Sequence, residues 1–150
     1  MRLRIVFSKS DTLRYTGHLD LHRIWERTCR RAGIPLSYSQ GFHPQPRISL
    51  AAALPLGFIG HAELMDLWLD QEEDKTEILK LLQAAAPPGL ILKSIQSIDQ
   101  HQAALQTQVL FADYEVLFLD PIDTSVLSNK LERLLLSTMI HRQRRSKEYD

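Results

Sequence analysis

The sequence predicts an α+β fold, on three observations. Short β-branched or alternating apolar runs recur at Leu3–Phe7, Ile48–Ala51, His61–Leu69 and Leu90–Ile98. Two segments between them, His18–Ala32 and Asp74–Ala86, carry apolar residues at helical 3–4 spacing. Gly and Pro punctuate the joints, at Gly33, Pro35, Pro55, Gly57 and Pro87-Pro88-Gly89.

Leu3–Phe7 is apolar at 3, 5, 6 and 7 and reads as a strand, with Ser8–Asp11 as a turn. His18–Ala32 reads as the strongest helix. Thr16 or Gly17 caps it, and Asp20 puts negative charge in the first turn, where the helix dipole favours it. Leu21, Ile24, Trp25, Thr28, Cys29 and Ala32 form its buried stripe, and Gly33 stops it. Residues 36–47 read as a long loop, Ile48–Ala51 as a strand, Ala52–Gly57 as an apolar bend, and His61–Leu69 as a strand ending at Asp70. The second helix buries Ile78, Leu81, Leu82 and Ala85. Leu90–Ile98 is the last strand of the group, with Leu90, Leu92 and Ser94 on one face.

Residues 1–98 therefore follow the order β-α-β-β-α-β, which is that of a ferredoxin-like sandwich, an antiparallel sheet with two helices on one face. Residues 99–106 are polar and weakly helical and read as a connector. Residues 107–150 predict a strand over Gln108–Leu119, a helix over Thr124–Leu136 and a basic tail, His141–Lys147. That is the start of a second α+β unit. The chain is either a piece of a longer protein or ends natively in its basic tail.

Size and composition fit a globular protein of one domain, or of one domain and part of another. At 150 residues with 44% hydrophobic and 24% charged residues, it can bury a core without staples. The single cysteine, Cys29, excludes an internal disulfide and reads as an inert core thiol. No stretch approaches the ~20 apolar residues that span a bilayer, and no signal peptide opens the chain. The expectation is a cytoplasmic protein with no membrane partner.

The formal net charge is zero, but it is unevenly distributed. Residues 1–50 carry nine Lys/Arg against three acids, and residues 51–100 three Lys against eight acids. The basic front end also holds Tyr38-Ser39-Gln40-Gly41-Phe42-His43-Pro44-Gln45-Pro46-Arg47, aromatics in a Gly/Pro-punctuated loop. Cations interleaved with aromatics suit a polyanion with exposed bases. Arg23, Arg27, Arg30 and Arg31 line one helix face, and a guanidinium fork donates two parallel hydrogen bonds to phosphate. The plain alternative is a solvated face, with Glu26 pairing with Arg23 or Arg30. Gly41 permits positive φ, and Pro44 and Pro46 stiffen the loop. Tyr38, Phe42 and His43 offer stacking surfaces, although Tyr38 and Phe42 equally suit plugging the core beneath the loop. Arg14 and Arg47 complete the nucleic-acid-binding candidates.

Other chemistry is less supported. There is no Walker loop, G-x-G-x-x-G, C-x-x-C or G-x-S-x-G. His18 and His22 lie four apart on a helix and can reach one metal, with His43 or His61 as further ligands. No flanking Glu or Cys pair supports such a site, so these histidines are weak metal candidates and no catalytic residue is assigned. Asp66 reads as lying on the sheet face away from the helices, in an ion pair with Arg47 or Arg14, or else as a general base.

The segments Phe7-Ser8-Lys9, Arg14-Tyr15-Thr16-Gly17-His18-Leu19-Asp20-Leu21, Arg30 to Ser49 and Ala53-Leu54-Pro55-Leu56-Gly57, with the strand holding Glu63 and Asp66, resemble the DUF2344 family, the radical SAM-linked domain. The resemblance covers residues 5–70 most specifically and implies a longer protein than one ending at Asp150. It implies a domain beside or fused behind a radical SAM protein, often one with a cobalamin-binding region, encoded near ribonuclease and ribosomal-protein genes. It assigns no activity. A radical SAM cluster needs three closely spaced cysteines, so the iron–sulfur cluster, S-adenosylmethionine and cobalamin belong to the partner, and this chain holds no cofactor of its own.

The resulting expectation is an accessory module that binds RNA, tRNA or rRNA, for a radical SAM enzyme, with salt-sensitive affinity. The alternatives are a metal-dependent or substrate-binding enzyme domain around His18, Asp20, His22 and His43, and a protein-interaction domain whose basic face docks on an acidic partner.

Overall fold

The computed structural model describes residues 1–140 in full and the backbone of 142–144 and 147–149. It divides into two compact units, Met1–Ala112 and Asp113–Asp150.

In the first unit β1 (Arg2–Lys9) leads through a short 3-10 turn, Asp11–Tyr15, into α1 (His18–Arg31). A long loop follows, then β2 (Ile48–Leu50), β3 (Gly60–Trp68), α2 (Lys75–Ala85) and β4 (Leu90–Ile98). The four strands form one sheet in the order β2-β3-β1-β4, antiparallel at every pairing. β1 and β2 therefore run the same way with β3 between them, and β3 and β4 run the same way with β1 between them. This is a mixed α+β unit, with α1 packed near β2 and α2 over β4.

The odd-numbered residues of β1 face the helices. Leu3, Ile5 and Phe7 are fully buried with Met65 and Leu67 of the neighbouring strand, with Leu69 just beyond it, and with Leu21, Trp25 and Cys29 of α1. Trp25 meets Phe7 edge-on at 5.0 Å, an arrangement that adds about 0.5–1.5 kcal/mol to simple burial. Both helices end as their sequences require. Gly33 takes φ +68 just past α1, and the Asp74 carboxylate accepts hydrogen bonds from the amides of Thr76 and Glu77 at the start of α2.

Three expectations need correction. On α2, Leu79 packs against the core and Leu81 is exposed. On β4, the register slips between Val6 and Phe7 of its neighbour, so Leu90 and Leu92 are buried but Ser94 is not, and Ile95 packs inward instead. Such a bulge inserts one residue and resets the alternation. Residues 99–106 are not a free connector. They lead into α3 (Leu105–Gln108), whose Leu105 is 1% exposed on the sheet face opposite the helices. Gln106 donates to Ser49 Oγ and to the Leu50 carbonyl, each at 2.7 Å.

The expected strand over 108–119 does not form. Gln108 ends α3, and no strand ladder forms over 109–118. Alternation alone makes no strand, because an extended backbone needs a neighbour for its amides and carbonyls. α4 (Thr124–Leu135) is present, with the Asp123 carboxylate accepting from the amides of Ser125 and Val126, and none of its residues is buried. In the tail, β5 (Arg142–Arg144) pairs with β6 (Lys147–Tyr149), while His141, Arg145 and Ser146 of the expected basic run lie outside the described residues.

Candidate nucleic-acid interface

The loop between α1 and β2 is a narrow tongue. Tyr38 bridges Pro46, Ser39 donates its amide to the Gln45 carbonyl at 2.8 Å, and Gln45 returns its amide to Ser39 Oγ at 2.9 Å. The base is tied to the sheet, since Ser37 donates its amide to the Trp68 carbonyl and its hydroxyl to Asp70 at 2.7 Å. The tip is Gln40–His43. Gly41 sits at φ +131, a conformation closed to side-chain-bearing residues. Phe42 is fully exposed and Tyr38 about half exposed, so neither plugs the core, and His43 also faces solvent.

Arg47 stands at the foot of this tongue. Its guanidinium lies over the Trp68 ring at 4.9 Å, and Arg2 lies over the same ring at 4.8 Å. β3 runs between β1 and β2, so Arg47, Trp68 and Arg2 form a row across the sheet on the face away from the helices. Stacking on an indole fixes a guanidinium while leaving its N–H edge free to donate. Arg47 is exposed and has no carboxylate partner among the described residues.

The same face explains Asp66, which does lie opposite the helices but does not pair with Arg47 or Arg14. It is fully buried and accepts from Arg2 Nη2 at 2.7 Å and Nε at 3.1 Å, and from Arg4 Nε at 2.8 Å and Nη2 at 3.0 Å. Hydrogen bonding to Asp66, and then its charge, raises the Arg4 guanidinium pKa against the opposing effect of burial. Arg2 also donates to the carbonyls of Gln102 and Ala103, clamping the segment before α3. Asp66 is therefore a structural anchor beneath the row. Arg2, Arg4 and Trp68 were not singled out from the sequence. Their signal was the even-numbered spacing of Arg2 and Arg4 on a strand whose odd residues are apolar.

The α1 arginines occupy a different surface. Arg30 is paired with Glu26 at 2.6 Å, and Arg23 lies 3.8 Å from Asp20. Arg31 donates to the last carbonyl of α2, Ala85 O, through Nη2 at 2.8 Å and Nε at 3.2 Å. Arg27 is exposed with no ion pair among the described residues. These groups lie on the helix side of the sheet, and Arg47 lies on the other. Arg14 sits in the 3-10 turn before α1, at the other end of that 14-residue, ~21 Å helix from the residues that lead into the tongue. Its guanidinium lies over Tyr15 at 5.0 Å, and its buried Nε has no hydrogen-bond partner among the described residues. The structure thus brings together Tyr38, Phe42, His43 and Arg47, and leaves Arg14, Arg23, Arg27, Arg30 and Arg31 elsewhere.

The histidines do not converge. His18 is exposed at the start of α1, His22 is half-buried, His43 is at the tongue tip and His61 is exposed on β3. Among the described residues, no three His, Cys, Asp or Glu side chains form a group able to hold a metal ion. Cys29 is fully buried, and burial pushes its thiol pKa up to about 12, which keeps it protonated and a poor metal ligand.

One further ionisable pair escaped the sequence reading. Lys9 is 1% exposed at the end of β1 and donates to the Thr16 carbonyl at 2.7 Å, just before α1. Burial lowers its pKa, and the charge of Glu63 opposes that shift. Glu63 on β3 is half-buried and its pKa is raised by burial, with Lys9 opposing. The two lie beyond ion-pair distance, and the Glu63 chain folds against Gly60, where an added Cβ would come within 2.5 Å of it.

No curated protein and no solved structure matches this chain. A family model does match it over residues 2–150, nearly the whole sequence and well beyond the segments whose motifs point to that family. The chain belongs to the DUF2344 family, described as an uncharacterised protein conserved in bacteria.

Proposed function

We propose that this chain is an accessory RNA-binding module, for tRNA or rRNA, that works beside a radical SAM enzyme and performs no chemistry itself. The observation that carries this reading is the exposed tongue of residues 37–47. It presents Tyr38, Phe42 and His43 to solvent beside Arg47, which lies over the Trp68 ring and has no carboxylate partner among the described residues. Rings and a pinned guanidinium on one protrusion suit a ligand with π-faces and phosphates. The radical SAM partner rests on the resemblance. A single buried thiol with a raised pKa favours leaving the iron–sulfur cluster, S-adenosylmethionine and cobalamin to that partner. The β-α-β-β-α-β order with strand order β2-β3-β1-β4 supports assigning the first unit to the ferredoxin-like sandwiches. We assign the protein to the cytoplasm; no helix among the described residues is long and apolar enough to cross a membrane.

The test is to crosslink the chain to RNA in cells and sequence what is attached. Enrichment of tRNA or rRNA is expected. Recovery no greater than that of an uncrosslinked control would overturn the reading.

A further inference from the structure

Resting on the RNA reading above, we infer that the ligand is unpaired RNA, held by base stacking on the tongue of residues 37–47, and not a duplex laid along α1. Four observations converge. The first is the make-up of the tongue, since residues 36–46 contain no Lys, Arg, Asp or Glu. Duplex binding draws on many phosphate contacts, and this protrusion offers none from a fixed charge. It offers rings instead. Phe42 is fully exposed at the tip, with Tyr38 half exposed on the same narrow ladder.

The second observation is rigidity. Cross-ladder hydrogen bonds between Ser39 and Gln45 and the Tyr38–Pro46 bridge fix the stem of the tongue, and Pro44 and Pro46 restrict its backbone. A stacking platform held in place loses little entropy when a base lands on it. The third is Arg47, over the Trp68 ring at 4.9 Å, which places one cation at the foot of the platform for the backbone of a bound strand. The fourth is negative. Along α1, Arg30 is paired with Glu26, Arg31 is bound to Ala85 O, and Arg23 lies beside Asp20. Among the described residues Arg27 alone of the four is without such a contact, and α1 lies across the sheet from Arg47. A duplex-length stripe of phosphate contacts is not assembled there.

A duplex hides the faces of its bases within the stack, whereas an unpaired nucleotide exposes both. Stacking is also tolerant of sequence, because every base has a π-face. The tongue therefore fits a loop, bulge or end of a structured RNA.

The experiment is fluorescence anisotropy on the full chain, with a labelled unstructured RNA of roughly twelve nucleotides, within the range of single-strand site sizes. The same strand annealed to its complement is the comparison. The single strand is expected to bind at least about tenfold tighter. Phe42→Ala is expected to weaken it about 5- to 150-fold, the range of one lost base–aromatic stack, while Arg27→Ala leaves it within about twofold. The log–log salt slope for the single strand is expected to stay at about −0.7, that of one phosphate neutralised by Arg47. Phe42 touches no core residue, so its variant should melt with the wild type and isolate binding from folding. Equal or tighter binding of the duplex, or a larger loss from Arg27→Ala than from Phe42→Ala, overturns this inference and leaves the RNA reading standing. Binding of neither RNA overturns both.

Discussion

Replacing Asp66 by Ala tests whether the face opposite the helices is held by one carboxylate. Asp66 is fully buried, Arg2 is 2% exposed, and four N–H groups converge on its two oxygens within 3.1 Å. Removing the carboxylate leaves two guanidiniums close together with no counter-charge. Breaking a buried pair from one side typically costs about 3–5 kcal/mol. Arg2 keeps its bonds to Gln102 and Ala103, and Arg4 keeps Gln108 Oε1 at 3.0 Å, so the lower end, ~3 kcal/mol, applies. With a urea m-value of about 2 kcal/mol/M, the unfolding midpoint should fall by about 1.5 M. A second protein, Arg2→Met with Arg4→Met and Asp66→Leu, should recover most of the loss, because a buried charge cluster is often replaceable by apolar groups of similar volume. Urea titration followed by tryptophan fluorescence reads both, since Trp68 lies against Arg2. A midpoint shift below about 0.5 M for Asp66→Ala would refute the reasoning.

Leu105→Ala should cost about 2–5 kcal/mol of packing and release the segment before α3 from the sheet. Hydrogen exchange at 101–108 should rise in this variant while β1 stays protected. Gly89→Ala should destabilise by at least ~2 kcal/mol, because φ is +85 and the new Cβ would meet Ser10 O at 2.6 Å. Gly57→Ala, at φ +90 with open space around it, should lose less, and thermal melts of the two order them. Glu63 has a folded pKa raised above its ordinary value of 4.5, so the folded state holds more protons than the unfolded one just above that pH. Its contribution to stability therefore falls as pH rises through that window. Glu63→Gln should gain relative to wild type from pH 4 to pH 8 in urea titrations, and a pH-independent difference would remove the assignment.

Much of the fold was legible because its signals are local. Period-two alternation in β1, 3–4 spacing in α1 and the carboxylate caps Asp74 and Asp123 each act within a few residues. What was not legible depends on partners distant in sequence. The bulge opposite Val6 and Phe7, which moves Ser94 out and Ile95 in, is a property of two strands together. The alternating run at 108–119 looks like a strand, yet a strand exists only with a neighbour. The tongue was recognisable from its Gly, Pro and aromatic content. That Arg47 faces away from the α1 arginines follows from its register against Trp68, and that Asp66 meets Arg2 and Arg4 follows from strand order. Lys9 reads as part of a turn over Ser8–Asp11 but ends β1, and nothing in its neighbours announces that the turn at Thr16 folds over it.

The most direct measurement places a photocrosslinking phenylalanine analogue at position 42 in one protein and at position 27 in another, and irradiates each with labelled cellular RNA. The account predicts a crosslinked RNA band from position 42 and little from position 27. A band from position 27 alone, or from neither, would contradict it.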